Sequence, residues 1–109
     1  MTVMPYRQHV IYEQLDTSRT FIQDDELMTK TFVMNMVSKL LFDISLHREV
    51  GGPIITEEHQ ATMCAHSADI IEGCILKDLN ESSSDMSNND LAAILYKSFI
   101  ICAKEFYSF

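Results

Sequence analysis

Apolar positions recur along most of this chain at helical rather than strand spacing, and from residue 91 onward they nearly fill it. From Leu91 to Phe109 fourteen of nineteen side chains are apolar, interrupted only by Lys97, Ser98, Lys104, Glu105 and Ser108. On a helical wheel Asp90, Lys97, Lys104 and Ser108 share one narrow line, and the rest of the circumference is greasy. A surface helix needs only about a 100° apolar stripe. The pattern therefore predicts a helix over 90–108 that is either the central member of a bundle or the seam of an oligomer. Its apolar runs are broken at Lys97 and Lys104, far short of the roughly 20 residues a bilayer demands.

Two further helices are expected upstream. The first runs over 25–48, with Asp24 as cap, and Asp25 and Glu26 at its positive end. Leu27, Met34, Val37, Leu41 and Ile44 form its apolar line, widened by Val33, Met36 and Leu40. Gly51-Gly52-Pro53 supplies the residues that stop a helix. The second is expected over 57–79 after a Thr56 cap, with Ala61, Cys64, Ala65, Ala68, Ile71, Ile75 and Leu79 as its core stripe. Asn80 to Asn89 is a polar loop without periodicity. Residues 1–23 are harder to read: Pro5 suits the first position of a short helix, Asp16-Thr17-Ser18 looks like a break, and an arm reaching a neighbouring subunit fits equally well.

These elements predict a single all-α domain, an antiparallel bundle of three main helices preceded by an N-terminal arm or short helix. Three helices leave the last one too oily for its own subunit to cover. A homodimer or higher oligomer joined through Leu95, Phe99, Ile101, Cys102 and Phe106 is the expected remedy, and the alternative is a monomer whose N-terminal arm covers the seam.

Composition sharpens the picture in two ways. Three glycines and two prolines in 109 residues are few for an all-β protein, which needs frequent turns. The net charge of −8 is concentrated after residue 50, including Glu81, Asp85 and Asp90 in and beside the polar loop. No basic patch exists for direct nucleic-acid binding, and affinity for a membrane surface is not expected. An acidic surface instead favours solubility or a basic partner. The opening MTVMPYRQHV has no signal-peptide pattern, so a cytoplasmic location is expected.

Candidate chemistry is sparse. His66 and Asp69 stand at a helical spacing that suits two ligands of one metal, with His59 two turns earlier, yet a solvated polar face explains them as well. Cys64, Cys74 and Cys102 have no metal spacing and no basic neighbours to activate them. Met28, Met34, Met36 and Met63 offer either ordinary core filling or an adaptable contact surface. No nucleophile elbow, phosphate-binding loop or cofactor motif is present.

The sequence therefore favours a small, acidic, non-enzymatic protein-interaction module, an adaptor or inhibitor that docks on another protein, without a cofactor. Its partner surface is expected at Asp24, Asp25, Glu57, Glu58, Asp69 and Glu72. Two other readings stand beside it: a DNA-mimicking inhibitor of a nucleic-acid-binding protein, and a small-ligand or metal site at an oligomer seam.

Overall fold

The computed structural model describes residues 5–49, 57–82 and 84–106, and it contains no strand among them. Four helices follow one another: α1 (Tyr6–Asp24), α2 (Glu26–Glu49), α3 (Glu57–Glu81) and α4 (Asn88–Ala103). Each packs against the next, and α4 returns to pack against α1. Contacts between ends fix the directions. Arg7 near the start of α1 pairs with Asp43 late in α2 at 2.9 Å. Arg19 near the end of α1 donates to Asn88 at the start of α4 at 3.0 Å. Ser98 in α4 donates to Asp78 late in α3. The result is an up-down-up-down four-helix bundle.

The main departure from the sequence reading is α1. In place of an arm or short helix, residues 6–24 form a helix of 19 residues, so the bundle has four principal members and not three. Asp16-Thr17-Ser18 is not a break. Asp16 and Thr17 lie on the wet side, and the Thr17 hydroxyl donates to the Gln14 carbonyl at 3.0 Å, so the polar triplet is absorbed into the helix. On the opposite side Val10, Ile11 and Leu15 enter the core. Pro5 precedes the first turn instead of opening it, and its carbonyl accepts the His9 N–H at 2.9 Å.

One residue, Asp25, turns the chain from α1 into α2. Its backbone is extended, at φ −133° and ψ 113°, and its N–H donates to the Phe21 carbonyl, which closes α1. Its carboxylate then accepts the N–H groups of Leu27 at 2.9 Å and Met28 at 3.2 Å, so Asp25 rather than Asp24 caps α2. The Asp25 carbonyl also receives the Thr29 hydroxyl at 2.8 Å, and the same hydroxyl reaches the Ile22 carbonyl at 2.6 Å. Thr29 can thus be buried without an unsatisfied polar atom.

That buried threonine helps to aim α2. Its inward face is Thr29, Phe32, Val33, Met36, Val37, Leu40 and Leu41. The apolar line read from the sequence is rotated by comparison, since its members Leu27 and Met34 face outward. Ile44 lies outside the described side chains.

Ser87 is the residue that starts α4. Its hydroxyl accepts the Asp90 N–H at 3.2 Å, a position the sequence assigns to Asn88 or Asn89. The helix ends at Ala103 and passes into turns, well before the expected residue 108. Leu91, Ala92, Leu95, Phe99 and Ala103 are buried, while Tyr96, Ile100, Cys102 and Phe106 lie partly covered against the same core. Burying each large apolar side chain contributes about 1.5–3 kcal/mol. Packing of α1 against α4 therefore supplies cover that a three-helix count could not.

Candidate functional site

The structure separates the residues expected to form one oligomer seam. Leu95 and Phe99 are wholly enclosed in the subunit's own core and have no surface to offer a second copy. Cys102 and Phe106 are half-buried, and only Ile101 is broadly exposed, at 57 %. On the outer side of α4 it stands two turns from Ile94, with Lys97 between them.

A larger apolar exposure lies elsewhere, on α2. Leu27 is 72 % exposed, Met34 55 % and Phe42 65 %, with Met28 beside them. Thr31, Asn35 and Ser38, all exposed, occupy the positions between. The spacing of 27, 31, 34, 38 and 42 keeps these residues on one side of a helix. The stripe is therefore apolar side chains alternating with uncharged polar ones. Charge enters at its margins: Lys30 pairs with Glu26 at 3.5 Å, and Asp43 is engaged by Arg7. Of the four methionines singled out in the sequence, Met28 and Met34 belong to this surface, Met36 is buried, and Met63 lies outside the described side chains.

The acidic residues expected to make a partner surface are spread along the bundle. Asp25 lies at the end of the bundle where α1 turns into α2, and its carboxylate is occupied in capping. Asp69 and Glu72 stand near the middle of α3. Glu57 and Glu58 open α3 at the other end of the bundle, because α3 runs antiparallel to α2. The side chains of Asp24, Glu57 and Glu58 lie outside the described set. Burial and the neighbouring Asp69 charge push the Glu72 carboxyl above its ordinary range. A different acidic grouping arises at the α1–α2 turn, where Asp25, Glu26, Glu81, Asp85 and Asp90 share one pole of the bundle.

The candidate metal residues also find a structural setting. The His66 ring meets Phe106 edge-on, with centroids 6.1 Å apart and planes at 88°. His66 and Asp69 are both exposed, and among the described residues no group of three His, Cys, Asp or Glu side chains converges on a metal-sized space. The His59 side chain lies outside the described set.

One cleft, of about 250 Å³, opens at the acidic pole between Arg19, Thr29, Asn80 and Ser84. Its polar wall is already engaged. Arg19 donates to the Met86 carbonyl at 2.7 Å and the Ser84 carbonyl at 3.4 Å, besides Asn88. The guanidinium thus ties the α3–α4 loop to α1. Ser82 donates to the Asp78 carbonyl at 2.6 Å. These groups hold the loop in place, and the sequence gives little warning of it, since Arg19 and Asn88 are 69 positions apart.

A second contact between α3 and α4 was also hidden by distance along the chain. Burial, assisted by the neighbouring Cys74 thiol and by Glu105 and Asp78, pushes the Cys102 thiol up to about 12. On the same side of the interface Asp78 accepts the Ser98 hydroxyl, and its carboxyl is raised by burial and by Glu81, with Lys77 opposing.

No protein-family model matches this chain, and neither the curated proteins nor the solved structures include one significantly similar to it.

Proposed function

We propose that this protein is a small non-enzymatic interaction module that docks on another protein through the outer face of α2. The observation that carries the reading is the Leu27–Met34–Phe42 stripe, three large apolar side chains more than half exposed along one helix. Large apolar groups left in water cost stability and invite association unless a partner covers them. The flanking Thr31, Asn35 and Ser38 carry no charge that a partner would have to desolvate. Such a stripe suits the apolar face of a helix, or a groove, on the partner.

Charge selects the kind of partner. Each copy of this chain carries −8, so two copies repel, whereas a neutral or basic partner is not penalised and is drawn in faster. The described carboxylates of the expected surface fall at the α1–α2 pole and near the middle of α3, which favours a local docking face over a continuous phosphate-like track. Self-association through the same stripe is the competing occupant.

The test compares wild type with the triple variant Leu27→Ser, Met34→Ser, Phe42→Ser. Both are used as bait in extract of the native source, and both are sedimented alone at micromolar concentration. The reading expects a protein retained by wild type and at least about tenfold less by the variant, which is over about 1.4 kcal/mol of binding, with identical thermal melts. Equal retention by both baits overturns it. A wild-type homodimer that becomes monomeric in the variant assigns the stripe to self-association instead.

A further inference from the structure

Two of the three cysteines are brought together by the register of α3 on α4. The Asp78–Ser98 hydrogen bond marks where these antiparallel helices face each other. Moving one turn back along α3 and one turn forward along α4 leads from that pair to Cys74 and Cys102. The two thiols stand opposite each other there, both unbridged and both half-buried. Cys64 lies ten residues before Cys74 in the same helix, about 15 Å away at 1.5 Å per residue. The same register carries its facing position past the end of α4.

From this juxtaposition we infer that Cys74 and Cys102 form a two-electron redox site, which a peroxide oxidises to an intramolecular disulfide linking α3 to α4. Either sulfur can attack first and the product is the same; with Cys74 as the attacker, Cys102 is the resolving partner. As a thiolate, Cys74 displaces at the peroxide oxygen and the O–O bond breaks. One oxygen leaves as water and the other remains on Cys74 as a sulfenic acid. The Cys102 sulfur then attacks the Cys74 sulfur, the S–O bond breaks, and hydroxide departs with the Cys102 proton as a second water. Two thiols and one hydrogen peroxide become one disulfide and two waters; each sulfur is oxidised by one electron and each peroxide oxygen reduced by one.

The bridge would close a ring through the end of α3, the Arg19-bound loop and most of α4. It would leave the α2 stripe untouched, so this inference and the docking proposal stand or fall separately.

The test treats the reduced full-length protein with an equimolar amount of hydrogen peroxide, alkylates what remains free, and digests it without reduction. Cleavage after Glu72 and Glu81 places Cys64, Cys74 and Cys102 on three different peptides. The expected product is a cross-link between the peptides 73–81 and 82–105, a Tm raised by roughly 10 °C, and full reversal by dithiothreitol. Cys64→Ser is expected to preserve the cross-link, and either Cys74→Ser or Cys102→Ser to abolish it. A bridge through Cys64, a bridge between two chains, or alkylated thiols at both 74 and 102 after peroxide overturns the inference. Should a serine variant fail to fold, the peptide map of the wild-type chain decides the question alone.

Discussion

Helices α2 and α4 are both rich in apolar residues, yet they end in opposite circumstances. In α4 the large side chains Leu91, Leu95 and Phe99 point into the core, and the outward positions are mostly small or polar: Asn89, Asp90, Ala93 and Lys97. Ile94 and Ile101 are its principal exposed apolar groups. In α2 large apolar residues occupy both sides. Phe32, Val33, Met36, Val37, Leu40 and Leu41 face in, while Leu27, Met28, Met34 and Phe42 face out. The helix with the greasier composition is therefore the better covered one. What decides stickiness is where the large side chains stand relative to the two neighbours each helix has, and not how many there are.

The strongest challenge to that contrast is Phe99→Ala. Phe99 is fully buried, so truncation should cost about 3–5 kcal/mol, read as a lower urea midpoint with unchanged slope. A loss under about 1 kcal/mol would mean that α4 is not an interior helix. The caps come next. Asp25→Ala removes the acceptor for two N–H groups of α2 and should cost about 1 kcal/mol; Ser87→Ala, which removes one acceptor from α4, should cost about the same or slightly less. Thermal melts of the two variants side by side show whether α2 depends on its cap as α4 does. On the outer face of α2, Met34→Ser should change stability by no more than about 0.5 kcal/mol; a larger loss in chemical denaturation would place Met34 in the core.

The smallest effect belongs to α3, which packs against both helices. The Glu72 carboxyl is raised above 4.5, so the folded chain holds this proton more tightly than the unfolded chain does. The stabilisation from that proton is present well below 4.5 and is lost as pH rises through the folded value. Glu72→Gln should therefore gain in Tm over wild type at neutral pH, by an amount that disappears in acid. Paired melts at the two pH values check it, and a gain confined to acid would reverse the sign.

The all-helical class could be read directly from apolar spacing, but two other features could not. Residues 1–23 hide a helix because Asp16, Thr17 and Ser18 are poor helix formers in succession, and only the wet-side placement of Asp16 and Thr17 makes them tolerable. The direction of α2 was ambiguous for the opposite reason. Apolar residues surround most of its circumference, and the deciding element is Thr29, a polar residue drawn inward by the Ile22 and Asp25 carbonyls of the preceding turn. Among candidate site residues, Ile101 is exposed, whereas Leu95 and Phe99 are enclosed in the subunit's own core. The meeting of Cys74 with Cys102 depends on how the 82–87 connection sets one helix against the next, which no local spacing encodes.

The single-residue link at Asp25 has a consequence for how the chain reaches its native state. With so little slack, α1 and α2 find each other almost as soon as either begins to form, and the entropy lost in closing that loop is small. Every neighbouring pair in this bundle except α1 with α4 is also consecutive in the chain. Folding can therefore start as a local zippering of one helical hairpin, with the long-range closure of α4 onto α1 as its final and slowest search.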